Sequence, residues 1–277
     1  MEDLVGRQLG PYQVAARLGA GNMATVYEAI RVETERRVAL KVLPQHLAED
    51  PIFAGRFYQE AAVIASLRHP HILPLIDFGE VDGYTYIAMP LAEKGTLAHY
   101  LNGSPLALDQ ICGVALQLAS ALDYAHSRGV VHRDVKPSNV LIDASGNCQL
   151  ADFGMAKILA GTVKFTAAGL AVGTPAYMSP EQALAIRIDG RSDIYSLGVV
   201  LYQMATGRVP FQAKTPIAVV HKHLSEPAPP PRMLNPALPA ALEQVILKAL
   251  AKQPDDRYAT AIDMARALQS ATAAGGL

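Results

Sequence analysis

The hydrophobic pattern of the chain changes character once, near residue 93, and this change constrains the fold more than any other feature. Before it, short runs rich in β-branched residues predict strands, at 12–18, 25–32, 37–43, 72–78 and 84–89. One helix is predicted between them, over 51–68. After it, apolar residues mostly recur at helical spacing and predict helices, near 109–129, 191–206, 239–252 and 259–272, with two short strands at 140–142 and 148–151. The sequence therefore predicts an α+β fold with a small β-rich lobe and a larger, mainly helical lobe.

Local signals refine this outline. The last two strands of the first lobe are expected to pair across residues 80–83, where Asp82-Gly83 is a strong hairpin signal. Asp109 is the expected N-cap of the first helix of the second lobe. The stretch 226–239 contains six prolines. Because helices resume directly after it, we interpret it as a connector within the domain and not as a linker or a proline-rich ligand.

Composition excludes several classes of protein. Of the 277 residues, 51% are hydrophobic and 18% are charged, which supplies a packed core and rules out global disorder. The 24 basic and 25 acidic residues leave a net charge of −1, so we expect no nucleic-acid partner and no membrane contact by this segment. No apolar stretch is long enough to span a bilayer. Cys112 and Cys148 are expected to be reduced core thiols, although a count of two leaves one disulfide open.

One charged residue interrupts the apolar face of the predicted helix over 51–68. That face consists of Phe53, Phe57, Glu60, Ile64 and Leu67. A carboxylate in an apolar stripe needs a partner, because an unpaired buried charge is costly. Lys41 interrupts a similar apolar alternation in the strand over 37–43, so an internal Lys41–Glu60 ion pair is one interpretation. Two solvated residues, or a pair with a purely structural role, are the other.

A glycine-rich turn lies between the first two predicted strands. Gly19 and Gly21 would let the backbone approach phosphate oxygens and offer N–H groups to them, but Ala24 stands where a third glycine would complete the motif. The dinucleotide-binding fingerprint is excluded, because a strand and not a helix follows the loop. Taken alone, the turn is compatible with a phosphate-binding loop or with an ordinary glycine turn.

Several polar motifs occur in a fixed order, and together they are more specific than any one of them. They are the loop at 19–24, Val38-Ala39-Leu40-Lys41, Glu60, His132-Arg133-Asp134, Asn139, Asp152-Phe153-Gly154 and Pro180-Glu181. With these motifs the chain resembles the protein kinase superfamily, from about Tyr12 to Leu268. Lys136 and Thr174 are similar to the Ser/Thr-specific branch, and the stretch 192–198 resembles bacterial (Hanks-type, eukaryotic-like) Ser/Thr kinases.

The resemblance implies a bilobal protein-kinase fold. The whole chain, 1–277, would be a single kinase domain with an N-lobe at 1–90 and a C-lobe at 91–277. The implied reaction is transfer of the γ-phosphoryl group of ATP to Ser/Thr hydroxyls of protein substrates, with Mg²⁺ or Mn²⁺ as the metal. In this reaction Asp134 would orient the substrate hydroxyl and accept its proton, and Lys136 would neutralise the γ-phosphate. Asn139 and Asp152 would be the metal ligands.

The resemblance also implies the nucleotide contacts. Lys41, oriented by Glu60, would hold the α- and β-phosphates. The remaining nucleotide-binding positions would be Leu18, Gly19, Gly21, Val26, Ala39, Met89, Ala92 and Leu141. Met89 would be the gatekeeper at the back of the adenine slot. An apolar spine would join the lobes through Ile64, Leu75, His132 and Phe153, anchored by Asp193.

Regulation is implied as well. Arg133 precedes the proposed catalytic Asp134, which in this family accompanies control by phosphorylation of the activation loop. Thr162 and Thr166 are the candidate phosphosites, and a phosphate on either of them would pair with Arg133 and Lys157. Glu181 and Arg257 are expected to form a buried structural pair, which makes no contact with the chemistry.

The resemblance leaves partners and location partly open. Protein substrates are expected, and the family allows an N-lobe homodimer during activation. The expected location is cytoplasmic, either as a free protein or as the cytoplasmic domain of a longer membrane-anchored kinase. Two other functions are alternatives to a Ser/Thr kinase. A catalytically silent scaffold is disfavoured because Lys41, Asp134 and Asp152 are all present, and a small-molecule kinase is disfavoured by the long peptide-docking segment 173–181.

Overall fold

The first lobe is built on one antiparallel sheet. The computed structural model describes residues 3–21, 24–45, 51–153 and 175–273. Its six-stranded sheet consists of β1 (Gln8–Leu9), β2 (Tyr12–Ala20), β3 (Thr25–Arg31), β4 (Arg36–Val42), β5 (Asp77–Val81) and β6 (Tyr84–Pro90). The strand order is β1-β2-β3-β4-β6-β5, and every neighbouring pair is antiparallel. Helix α1 (Pro51–Ser66) is the helix predicted over 51–68.

The last hairpin of the sheet differs from its prediction. The strand expected over 72–78 is wrong, because β5 covers Asp77–Val81. The turn is the two-residue Asp82-Gly83, where both residues have positive φ (51° and 74°), as a type I′ hairpin requires. Upstream, Ile72 instead forms a single parallel bridge to Leu150 of the second lobe. The preceding segment therefore joins the two lobes and does not lengthen the sheet.

The second lobe is mainly helical. Its helices are α2 (Leu97–Tyr100), α3 (Leu108–His126), α4 (Pro180–Ala183), α5 (Gly190–Thr206), α6 (Pro216–Ser225), α7 (Ala240–Ala249) and α8 (Ala261–Ala273). Short 3₁₀ turns lie at Pro137–Asn139, Pro175–Tyr177, Pro231–Met233 and Pro254–Asp256, and β7 (Val140–Ile142) pairs with β8 (Cys148–Leu150). This arrangement confirms the predicted α+β fold.

One helix cap and three helices of the second lobe depart from the predictions. Asp109 is not the N-cap of α3; that position belongs to Ala107, and Asp109 lies in the first turn. The short helices α2, α4 and α6 were not predicted. The proline-rich stretch 226–239 is confirmed as part of the domain, since Pro231 and Leu238 are buried.

Two buried clusters hold these elements together. One lies on one face of the sheet and includes Tyr12, Tyr27 and Leu40. The larger one runs from α1 into α3 and α5 and includes Phe57 and Leu122. The apolar face predicted for α1 is confirmed, because its four hydrophobic members are all at most 8% exposed.

The two cysteines are not paired with each other. Cys112 and Cys148 are both free thiols, so the disulfide alternative is wrong. Among the described residues, no helix combines the length and the hydropathy that a membrane crossing requires.

Candidate active site

Three polar side chains converge on the loop before β7. The Oδ2 atom of Asp134 lies 2.7 Å from the Lys136 Nζ and accepts a 3.0 Å hydrogen bond from the Asn139 Nδ2. Asn139 also donates to the main-chain carbonyl of Asp134, at 2.8 Å. These contacts fix one carboxylate oxygen of Asp134, and the side chain remains 34% exposed. The loop thus presents a held carboxylate to solvent, which is the arrangement a general base needs.

The backbone of this loop is held in place by a buried carboxylate. Asp193, fully buried near the start of α5, accepts hydrogen bonds from the main-chain N–H groups of His132 and Arg133, both at 2.8 Å. Its third partner is the His126 Nε2, at 2.7 Å. Burial alone would raise the pKa of Asp193, but the hydrogen bond from His126 and the further contacts hold it below its ordinary value. An ionised Asp193 therefore orients the segment that leads into Asp134.

Arg133 adopts a left-handed conformation, with φ of 69°. For a residue with a Cβ this conformation is unfavourable by about 1–3 kcal/mol and persists only where the surroundings impose it. Asp193 supplies part of that constraint. Within the described residues, the buried Nε of Arg133 has no hydrogen-bond partner.

Lys41 joins the sheet to the second lobe through an ion pair. Its Nζ lies 2.8 Å from the Oδ2 of Asp152, which follows β8 and also has a positive φ, of 63°. Burial alone would raise the pKa of Asp152, but the Lys41 ammonium, with His132 and Lys136 further away, lowers it. Glu60 lies half-buried on α1. Its pairing with Lys41 stays a prediction, because the pair that the structure describes for Lys41 is with Asp152.

Strand register places four of the predicted nucleotide contacts on one face of the sheet. Val26 stands opposite Lys41, and Ala39 stands opposite Met89. Directly opposed residues point to the same face, and so do residues two apart along a strand. Val26, Ala39, Lys41 and Met89 therefore share the face that carries the Lys41–Asp152 pair.

The glycine-rich turn is open on the side where a ligand could approach. Among the described residues, a Cβ added to Gly19 would meet no atom within 4 Å, and one added to Gly21 would meet the Ala24 carbonyl, at 3.8 Å. The register between β2 and β3 shifts between Arg17 and Gly19, which places Leu18 in a β-bulge, 50% exposed. Space for close backbone approach is thus present without a third glycine.

The other two predicted adenine contacts, Ala92 and Leu141, both line a cavity of about 230 Å³. Asp143 and Gln149 also line it, whereas Leu18, Val26, Ala39 and Met89 do not. The lining of this cavity therefore does not include the sheet face described above.

Two members of the predicted apolar spine, His132 and Phe153, are in direct contact. The rings of His132 and Phe153 are edge-to-face, with centroids 4.5 Å apart, and both residues are buried. The His132 Nε2 donates to the Ala151 carbonyl at 2.8 Å, while its Nδ1 accepts from the Asp134 N–H at 3.1 Å. Ile64 is buried and Leu75 is partly buried in the same apolar cluster. The His132 ring thus links the hydrophobic spine to the backbone of Asp134.

Several contacts of the site were not predicted from the sequence, among them those made by His126 and Gln182. His126 reaches Asp193 from α3, and Gln182 donates to the Arg133 carbonyl from α4, at 2.7 Å. For Gln182, the Ser179-Pro180-Glu181-Gln182 capping box was readable in the sequence, although its contact with the loop was not. The predicted buried pair of Glu181 with Arg257 is confirmed, with N–O distances of 2.7 and 2.9 Å.

The donor set suits a hard divalent cation. Asp152 is held in its ionised form, and Asn139 uses its Nδ2 to donate to Asp134, which leaves the amide oxygen for a metal. The described residues contain no cluster of three or more His, Cys, Asp or Glu side chains able to hold a metal by themselves. Mg²⁺ typically takes one or two protein oxygens and completes its shell with phosphate and water, which this site matches. The candidate phosphosites Thr162 and Thr166, with Lys157, lie outside the described residues.

Comparisons with known proteins extend over nearly the whole chain. A family model described as protein kinase domain matches residues 12–270. The Ser/Thr-protein kinase Pkn1 of Myxococcus xanthus is 42% identical over 276 residues, which is 98% of this chain and 40% of Pkn1. The Ser/Thr-protein kinase PrkC of Bacillus subtilis is 40% identical over 270 residues, 97% of this chain and 42% of PrkC. The chain thus spans about two fifths of these curated relatives. The crystal structure of the Mycobacterium tuberculosis PknI kinase domain superposes with a TM-score of 0.78 at 31% identity, covering 97% of this chain and 98% of that one.

Proposed function

The chain belongs to the protein kinase family, in its bacterial Ser/Thr branch, and has the bilobal fold of that family; from this premise we propose that it transfers the γ-phosphoryl group of ATP to serine and threonine hydroxyls of proteins. The observation that carries the proposal is that Lys136 Nζ and Asn139 Nδ2 both lie within 3.0 Å of the Oδ2 atom of Asp134. Phosphoryl transfer needs positioning and charge neutralisation more than covalent help from the protein, and these residues supply both.

We assign Asp134 as the base that orients the acceptor hydroxyl and takes its proton. Its Oδ2 is engaged by Lys136 and Asn139, so the Oδ1 is the atom offered to the hydroxyl. Lys136 lies close enough to Asp134 to serve two purposes: it holds the carboxylate and places a positive charge beside the transferred phosphoryl group. The exposure of Asp134 supports access by a protein substrate.

We assign Asp152 and Asn139 as the metal ligands and Lys41 as the residue that holds the α- and β-phosphates. The metal, Mg²⁺ or Mn²⁺, supplies charge neutralisation on the phosphate oxygens when it is bound. The low pKa of Asp152 supports this role, because a metal ligand must be ionised. Glu60 is proposed to orient Lys41 once the nucleotide is present. Leu18, Val26, Ala39, Met89 and Leu141 are proposed to contact adenine, with the N–H of Ala92 as a donor and Gly19 and Gly21 over the phosphates.

We propose that one kinase domain covers 1–277, with the lobes meeting near residue 90. The proposed regulator is the segment that carries Thr162 and Thr166. The buried Arg133 Nε, without a partner among the described residues, supports Arg133 as the binding partner of a phosphate there. A homodimer through the N-lobe and a cytoplasmic location, free or as part of a membrane-anchored protein, remain part of the proposal.

The proposal is tested by phosphate transfer from ATP to a generic protein acceptor, compared between the wild-type chain and Asp134→Asn. The variant keeps the side chain's size but removes the base, so turnover should fall by at least about 10²-fold, the lower bound typical for a lost general base. Asp109→Asn, the same replacement at an exposed position on α3, is the matched control and should match the wild type. Absence of transfer by the wild type, or full activity of Asp134→Asn, would overturn the assignment.

A further inference from the structure

The side chain of Gln182 bridges two parts of the second lobe. Its Oε1 accepts the main-chain N–H of Ser179 at 3.0 Å and so completes the capping box of α4. Its Nε2 donates to the main-chain carbonyl of Arg133 at 2.7 Å. The orientation of the amide is fixed by these partners, because an N–H group can only donate and a carbonyl oxygen can only accept. Gln182 therefore uses both ends of its amide, and only one end serves the helix.

The Nε2 end of the Gln182 amide binds the peptide unit between Arg133 and Asp134. The carbonyl of Arg133 and the N–H of Asp134 belong to one planar unit, so the direction of that carbonyl sets the direction in which the Asp134 backbone continues. The main-chain N–H of Arg133 donates to Asp193, and the main-chain N–H of Asp134 donates to the His132 ring. The bond from Gln182 completes this set. Together these three contacts impose the unfavourable φ of 69° on Arg133.

Gln182 stands on a rigid support. The adjacent Glu181 is paired bidentately with Arg257, and both side chains are at most 3% exposed. Ser192 donates to the same carboxylate from α5, at 2.5 Å. Helix α4 is thereby fixed to the helical lobe. A displacement of α4 would reach the catalytic loop directly through the Gln182–Arg133 hydrogen bond.

We propose that Gln182 is a positioning residue for Asp134: it transmits the placement of α4 to the carboxylate that acts on the acceptor hydroxyl. The inference rests on the proposed kinase function, and it adds a residue that touches neither nucleotide nor acceptor. A role limited to capping α4 would involve only the Oε1 atom. The two roles are separable because they use different atoms of one amide.

Two substitutions distinguish the roles. Gln182→Glu keeps an acceptor for the Ser179 N–H but has no donor for the Arg133 carbonyl, and it places an anionic oxygen against that carbonyl. Gln182→Met removes both functions at similar volume. We expect both variants to lower kcat about 10-fold, the scale of one lost hydrogen bond, with the KM for ATP unchanged within about 2-fold. Gln110→Glu is the matched control, because Gln110 accepts the main-chain N–H of Ala107 at the start of α3 with its Oε1, at 3.2 Å, and the replacement keeps that acceptor. Its kcat should stay near that of the wild type.

A second measurement does not depend on activity. Amide hydrogen exchange of residues 131–136 should be about 10-fold faster in Gln182→Glu and Gln182→Met than in the wild type or Gln110→Glu, because one restraint on the loop is lost. Normal kcat and normal exchange in Gln182→Glu, with a defect only in Gln182→Met, would reduce Gln182 to a helix cap and overturn the inference. A wild-type chain that transfers no phosphate would overturn the proposed function instead, while the exchange rates would still decide whether Gln182 holds the loop.

Discussion

Removal of the Arg257 guanidinium should destabilise the second lobe strongly. All five N–H donors of this side chain are used in the structure. Two of them go to Glu181, and the other three go to the main-chain carbonyls of Ala251, Arg191 and Lys252. Arg257→Met keeps much of the side chain's volume but leaves the Glu181 carboxylate buried with Ser192 as its remaining described side-chain partner. It also leaves three main-chain carbonyls without this donor.

The size of the effect follows from burial. Breaking a buried ion pair by removing one partner costs about 3–5 kcal/mol, because the other charge stays uncompensated. The side chains of Arg257 and Glu181 are 0% and 3% exposed, so this range applies without a discount for solvent screening. We expect Arg257→Met to lower the free energy of unfolding by about 4 kcal/mol at pH 7, a large part of the stability of an ordinary domain.

The pKa of Glu181 determines how the stability difference between the wild type and Arg257→Met changes with pH. Burial raises the pKa of Glu181, but in the wild type Arg257 and Ser192 lower it below its ordinary value, so Glu181 contributes stability that is lost as the pH falls through that lowered pKa. In Arg257→Met, the effect of burial on Glu181 is no longer outweighed by Arg257, so the pKa of Glu181 should rise above its ordinary value. Protonation then relieves the buried charge, and the difference between the two proteins should shrink from pH 7 towards pH 4.

Urea unfolding of both proteins at several pH values measures this difference. The matched control is Arg266→Met, since Arg266 is 72% exposed and its 3.5 Å pair with Asp263 should be worth less than about 1 kcal/mol. A loss below about 1 kcal/mol for Arg257→Met, or a loss that does not change with pH, would refute the reasoning about an uncompensated buried charge.

Three further predictions concern single side chains. Lys41→Met should raise the pKa of Asp152, because the ammonium that lowers it is removed; a carboxyl NMR titration measures this, and an unchanged pKa would contradict the pairing. Burial lowers the pKa of His223 from 6.5 to about 4, so the wild type should lose up to about 3 kcal/mol of stability as the pH falls from 6.5 to 4; in His223→Gln this loss should be smaller, and equal slopes in urea unfolding would disprove the assignment. Replacing Thr162 and Thr166 together by Val should abolish phosphate incorporation into the segment they share and lower activity towards an added substrate; an unaffected double variant, assayed with labelled ATP, would exclude both threonines as regulators.

Local sequence signals predicted most of the elements that position the site. The period-2 alternation around Lys41 and the helical stripe containing Glu60 both lie where they were expected. The prediction of a strand over 72–78 was wrong because Ile72 and Leu73 pair with β8 of the second lobe and not with the sheet of the first lobe. An apolar run reports burial, and burial does not specify which partner provides it.

Contacts between distant residues were less accessible to sequence reasoning. Gln182 and Arg133 are 49 positions apart, and His126 and Asp193 are 67 apart. No local pattern links such pairs, since their approach depends on how α3, α4 and α5 pack. The Glu181–Arg257 pair was predicted through the family resemblance and not through spacing. The Lys41–Asp152 contact also depends on the meeting of the two lobes, which periodicity does not describe.

The central claim is that the chain transfers phosphate from ATP to Ser/Thr hydroxyls. It is tested most directly by incubating the wild-type chain and Asp134→Asn with Mg²⁺ and ATP, alone and with a generic protein acceptor, and mapping phosphopeptides by mass spectrometry. We expect phosphate on Thr162 or Thr166 and on Ser or Thr of the acceptor with the wild type, and at least about 100-fold less with the variant. No phosphate on either protein with the wild type, or equal incorporation by Asp134→Asn, would contradict it.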